Sequence, residues 1–206
     1  MRIFATTYQH LVGDGMNIAI AMAGLPNAIS SILNDKILTF LNRAAKVILN
    51  PLQIADISAC FAQALRDLDI DYDSKTLDIA ARETDGYPYL FQLIGFHMLK
   101  FLGSENILTA KEVELAVSYS KKALASDVLL PCLNPMSAED KRFLNAMALD
   151  IGECKISDIR SRLHVGKSHV QTYRRRLIDA GLIHSSSRGI VAFSIPYLGQ
   201  YLRGEI

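Results

Sequence analysis

Before Pro131 the chain offers only two segments that read as strands, and this shortage decides most of what it can fold into. Residues 17–23 (NIAIAMA) are a short, mostly apolar run stopped by Gly24 and Pro26. Such a run suits a strand buried on both faces, although its length does not exclude helix. Residues 46–49 (KVIL) form a second run, stopped by Pro51. Two strands do not make a sheet that stands alone. Residues 1–50 therefore read as a remnant of an α/β core, and an orphan strand there predicts self-association or poor solubility unless its apolar face is covered.

Helical periodicity governs the next eighty residues. The first eleven residues already read as a helix closed at Gly13, where glycine relieves the left-handed turn. Residues 56–68 place Ile57, Cys60, Phe61, Ala64 and Leu65 on one face. Helices over 74–84 and 89–102 follow, and Thr109-Ala-Lys-Glu112 is a capping box that opens a helix running to about Ala125. Asn134-Pro135 marks a boundary, because the residue before proline resists helix. The predicted organisation is 1–50, 51–135 and 136–206, a mainly α chain.

The C-terminal quarter carries the most specific pattern. Helices are predicted over 137–149, 156–163 and 168–180, with a short turn over 164–167 between the last two. A turn at 185–189 then separates two strands, the second over 190–195. Three helices followed by a hairpin is the order of a winged helix-turn-helix. At about 100° per residue, Val170, Tyr173 and Leu177 share the buried seam of the third helix. Ser168, Thr172 and Arg175 lie opposite, Gln171, His169 and Arg176 lie on the flanks, and Arg174 falls near the apolar boundary. These donors suit major-groove edges and phosphates, and Lys167 and Arg188 suit phosphates.

Charge agrees. Residues 151–206 carry 9 Lys and Arg against 4 Asp and Glu, a balance of +5, whereas residues 1–150 carry 13 against 17, a balance of −4. A polyanion partner is expected at the C-terminal end only, with duplex DNA the favoured one. A solvated or protein-docking face is the alternative.

Elsewhere the residues exclude more than they offer. No apolar run reaches the 18 or more residues of a membrane span, and no secretion signal opens the chain. Cys60, Cys132 and Cys154 are odd in number and far apart, which argues against a disulfide framework or structural zinc and for a reducing cytoplasm. Asp67, Asp69, Asp71 and Asp73 mimic a calcium loop, but Tyr72 stands where glycine is required, so a solvated acidic helix end is expected. His97 reads as a core histidine, no Ser/His/Asp or Cys/His pairing stands out, and the residues themselves point to no catalytic group. Neither G-x-x-x-x-G-K-[ST] nor G-x-G-x-x-G occurs.

The stretches NIAIAMAGLPNA (17–28), LTFLNRAAKVILNPLQ (38–53) and TDGYPYLFQLIGF (84–96), followed by the C-terminal pattern, resemble the C-terminal part of a P-loop ATPase. The likeness is to bacterial and archaeal AAA+/STAND-type ATP-binding proteins, related to archaeal replication-initiator ATPases, and it covers nearly the whole chain. It implies that 17–23 is the sensor-1 strand and that Asn27 feels the γ-phosphate; Asn27 also suits a helix cap. Arg43 would be an arginine finger and Gly86-Tyr-Pro88 the GxP motif of a helical lid beside the nucleotide. No arginine occurs between Arg82 and Arg142 to serve as sensor 2. The phosphate-binding loop and Walker B acids of such proteins would precede residue 1. ATP and Mg²⁺ are thus expected only where that region is present, and this chain is not expected to hydrolyse ATP. The expectation is a nucleotide-switched DNA-binding portion, with a second copy of the chain, as a homo-oligomer, among its candidate partners and without membrane contact. A non-enzymatic transcription regulator and a protein-docking module are the alternatives.

Overall fold

The computed structural model describes residues 2–22, 38–45, 47 and 50–206. Asn27, and the run 46–49 apart from Val47, lie outside them. Helix α1 (Arg2–Gly13) forms where the sequence predicts it and buries only Ala5, against Leu38 and Leu41 beside a 3-10 turn at Thr39–Arg43. The expected strand does not form over its described part: residues 17–22 take no regular structure. A strand needs a neighbour to satisfy its backbone amides and carbonyls, and no described segment pairs with this one.

The helical region starts with α2 (Ile54–Asp67), whose buried row is Ile57, Phe61 and Leu65. Cys60 and Ala64, expected on that face, are exposed. Ile54 joins the packed row, and the face it defines turns away from Cys60 and Ala64. Strand β1 (Asp71–Tyr72) pairs in parallel with β2 (Ile107–Leu108). Asp73, the last acid of the calcium-loop mimic, caps α3 (Ser74–Arg82) by accepting from the Thr76 amide at 3.3 Å. Helix α4 (Pro88–Phe101) opens on a proline, which costs nothing where the amide has no intrahelical partner. Helix α5 (Ala110–Leu124) begins at the expected Thr109–Glu112 capping box. Phe61, Leu77, Ile94, Met98 and Val113 fill the core between these helices.

Helix α5 does not stop near Ala125. It continues through a π-helical segment, Ala125–Leu129, into α6 (Leu130–Leu133). The reason is Pro131: it has no amide to give, and the Leu130 amide reaches back five residues to the Ala125 carbonyl. The wider turn absorbs the proline without breaking the rod.

The C-terminal region has the predicted element order. Helix α7 (Ala138–Ala148) starts at a second capping box, Ser137 with Asp140. Helix α8 (Ile156–Leu163) ends at His164, which is left-handed with φ 54°, and α9 (Lys167–Asp179) follows. Strands β3 (Cys154–Lys155), β4 (Ile183–Ser187) and β5 (Ile190–Phe193) form an antiparallel sheet ordered β3-β5-β4. The turn is shorter than the predicted 185–189. Residues 185–187 belong to β4, and Arg188-Gly189 alone makes the reversal, with Gly189 at φ 79°. A register break between His184 and Ser187 makes room for it. Helix α10 (Leu198–Leu202) packs back on α7.

One hydrophobic cluster joins the two regions. Phe143, Leu144, Met147, Ile159, Val170, Leu177 and Val191 of the C-terminal region pack in the same buried cluster as Leu90, Leu124, Leu129 and Leu133. Arg162 adds a polar tie, gripping Asp150 through two nitrogens at 2.6 and 2.8 Å and the Ala146 carbonyl at 2.7 Å. Those hydrogen bonds hold the Asp150 carboxyl below its ordinary range. Burial, chiefly, pushes the Cys154 thiol beside them up to about 12.

Candidate nucleic-acid interface

Helix α9 is amphipathic in the way its sequence requires. Val170 and Leu177 are fully buried and Tyr173 half-buried, so the opposite face, with Ser168, Thr172 and Arg175, is exposed. Gly166 at its start supplies no side-chain cap, and the first turn holds no acid. Lys167 instead stands there. A cation at the positive end of a helix is unfavourable by itself, and together they make a local field that an anion would relieve.

The structure divides the eight predicted contact residues into two sets. Lys167, Ser168, Gln171, Thr172 and Arg175 are exposed on the front of α9, and Arg188 is exposed at the hairpin tip. Among the described residues, Lys167, Arg175 and Arg188 have no ion-pair partner. Thr172 returns its hydroxyl to the Ser168 carbonyl at 3.1 Å, leaving an acceptor facing out. Arg176 and His169 are exposed as well, on the flank of α9 that faces α7. Arg176 donates to the buried Asp140 carboxylate at 2.8 Å and lies 5.3 Å from the centre of the Tyr173 ring. His169 packs 4.6 Å from the same ring and stands 3.7 Å from Glu139. Arg176 therefore braces α9 against α7.

Arg174, at the apolar boundary, reaches across to the Ser185 hydroxyl at 3.0 Å and ties α9 to β4. Gln171, Arg174, Arg175, Ile178 and Asp179 line a groove of about 440 Å³ beside it. The front of α9 thus presents amide, hydroxyl and guanidinium groups from a helix fixed on three sides.

The second predicted set lies far from this face in sequence. Gly86 is buried with φ 70°, and an added Cβ would stand 2.6 Å from the Leu52 carbonyl and 3.0 Å from the Pro51 side chain. The Leu52 amide donates to the Gly86 carbonyl at 2.8 Å. The Thr84 hydroxyl donates to the Ala81 carbonyl at 2.6 Å and accepts from the Gly86 amide at 3.2 Å. Only glycine fits, and local packing is reason enough for it. Pro88 is exposed at the start of α4, Arg43 is exposed at the end of the 3-10 turn, and Asn27 falls outside the described residues.

Sequence reading missed a polar junction beside this corner. The Tyr197 hydroxyl lies 2.8 Å from the Glu83 carbonyl and 2.8 Å from its carboxylate. The Lys121 ammonium is 2.8 Å from the same carboxylate and 4.3 Å from the centre of the Tyr197 ring. Burial works to raise the Glu83 pKa, but the Lys121 and Tyr197 hydrogen bonds outweigh it and hold the carboxyl low. Burial, then Glu83, push the Tyr197 phenol up. No spacing rule links residues 114 positions apart. Among the described residues no group of three or more His, Cys, Asp or Glu is placed to hold a metal ion, and no helix is long and apolar enough to cross a membrane.

Comparison with known proteins places the fold. Residues 127–202 match a family described as "Domain of unknown function (DUF8462)". No curated protein matches the chain in sequence. The Thermotoga maritima RuvB Holliday junction branch migration motor superposes at a TM-score of 0.34 with 14% identity, over 75% of this chain and 50% of that one, too loosely to carry an argument. The Walker-type ATPase PABY2304 of Pyrococcus abyssi superposes at a TM-score of 0.64 with 17% identity over 86% of this chain. This chain covers 50% of it, so it spans about half the length of the solved structures it matches. The mainly helical chain thus shares the fold of half of a Walker-type ATPase.

Proposed function

We propose that the chain is the lid and DNA-binding portion of an ATP-binding protein of the AAA+/STAND type, and that its C-terminal winged helix binds duplex DNA under nucleotide control. The observation that carries the reading is the front of α9. Its side chains are polar or basic, exposed and without ion-pair partners, although the packing of α9 uses only its opposite face and flanks. In this reading Lys167 and Arg188 contact phosphates, while Ser168, Gln171, Thr172 and Arg175 face base edges. Arg176 acts through α9 by holding its angle.

Among the described residues, the Gly86 corner has no room to take a nucleotide by itself. The space at Gly86 is filled by the Leu52 carbonyl, and Pro88 offers an apolar surface, so this corner could only pack beside a nucleotide that other residues cradle. The roles of Asn27 at a γ-phosphate and Arg43 as an arginine finger belong to the same proposal. Because the helical and C-terminal regions share one core, a lid displacement would carry the C-terminal region with it.

The test is a fluorescence-anisotropy titration of the 206-residue chain with a labelled duplex at low salt. The Lys167→Ala/Arg175→Ala variant is expected to bind at least tenfold more weakly, and an unchanged affinity or no binding by the parent chain contradicts the reading. One observation favours docking of a protein instead: Leu149 and Ile151, in the loop after α7, are 68% and 93% exposed. Large apolar side chains so placed suit a protein contact. Ile151→Ser would then abolish partner binding and leave duplex binding intact.

A further inference from the structure

Two features of the long helical rod stand together. The π-helical segment Ala125–Leu129 interrupts the rod where it passes from the helical region into the C-terminal one. A π turn inside a helix is rare, occurs mostly as a single-turn bulge, and is frequent at functional sites. The corner over residues 83–89 spans it with polar ties. The Tyr89 hydroxyl donates to Asp127 within the π segment at 3.0 Å. On the far side, Tyr197 donates to Glu83, and Lys121 closes the group from α5, four residues before the π segment. Tyr197 also holds a left-handed backbone, φ 63°, immediately before α10. A bulky residue adopts that conformation only when its surroundings enforce it.

From this geometry we infer that Tyr197, Glu83 and Lys121 form a polar latch that pins α10 and the turn before it to the helical region, beside the π segment. While latched, the single Tyr197 hydroxyl hydrogen is shared between the Glu83 carbonyl and its carboxylate, and α10 and α7 are held in register with the corner after α3. Once the hydroxyl lets go, the left-handed turn at 197 loses what enforces it, and α10 is freed together with the end of α7. The Tyr89–Asp127 hydrogen bond ties the π segment itself to the same corner. That the motion would re-aim α9 on DNA rests on the reading above; the latch itself does not.

Amide hydrogen exchange on the 206-residue chain tests it without DNA. Tyr197→Phe keeps the ring over Lys121 and removes only the hydroxyl. Glu83→Gln weakens the same group from the opposite side, and it carries the test alone if the tyrosine variant fails to fold. Each is expected to speed exchange about tenfold or more at residues 83–86 and at 198–202 together, with the centres of α8 and α9 unchanged. The double variant should be no faster than the faster single one. Acceleration confined to the substituted side, or spread evenly over the whole chain, overturns the latch. So does a loss of duplex affinity in either variant with exchange unaltered at both sites. Failure of duplex binding with coupled exchange intact would sink the DNA reading alone.

Discussion

The corner around Gly86 and the front of α9 were both marked by sequence, and they differ in what accounts for them. Every feature of the Gly86 corner has a structural partner: the positive φ, the contact with Leu52 and the Thr84 hydroxyl bonds. The front of α9 has almost none. Lys167, Gln171 and Arg175 contribute nothing visible to packing, while Arg174 and Arg176, their neighbours, are bonded to β4 and α7. A residue that fits its surroundings needs no further role, whereas a row of exposed donors between braced neighbours asks for a partner. The contrast separates framework from proposed interface within one chain.

The largest effect that could break this picture is in the shared core. Phe143→Ala should destabilise the chain by about 3–5 kcal/mol, because a large cavity opens where both regions meet. Urea unfolding followed by circular dichroism should still show one transition. Two separated transitions would mean that the regions fold apart. Gly86→Ala should cost about 1–3 kcal/mol in the same assay, from a strained φ and the clash with the Leu52 carbonyl. A neutral result would remove the packing account of the corner and favour a role at a ligand.

Acid unfolding probes the tie between α7 and α8. The Asp150 carboxyl is held below its unfolded value by Arg162, so its contribution is fully present above that value and fades as pH falls through the folded one. Stability should drop below about pH 4. Asp150→Asn should lower the neutral-pH stability by about 1–2 kcal/mol and flatten the dependence. An unaltered pH profile would show that Arg162 draws its hold from the Ala146 carbonyl alone.

Much of the helical scaffold was legible because its signals are local. Capping boxes at Thr109 and Ser137, the proline opening α4 and the 3.6-residue spacing of α9 all act within one or two turns. What escaped depends on distant partners. The apolar run 17–22 reads as a strand, yet a strand exists only if a neighbour pairs with it, and none does among the described residues. The π segment that carries the rod through Pro131 has no local sequence pattern of its own. The exposed set on α9 followed from angles alone, but the bond that Arg176 makes needed Asp140, 36 residues away. The Tyr197–Glu83 junction left no sequence signal at all.

The most direct measurement compares two adjacent arginines. Duplex affinity across a salt series, together with urea stability, would be measured for Arg175→Ala and Arg176→Ala. Arg175→Ala should keep its stability and lose affinity, with the slope of log K against log salt reduced by about 0.9 if one phosphate contact is lost, or unchanged if Arg175 reads a base. Arg176→Ala should lose about 1–3 kcal/mol of stability, because it leaves the buried Asp140 carboxylate with only its Ser137 hydrogen bonds. Equal affinity for Arg175→Ala and the parent chain at every salt concentration would contradict the account.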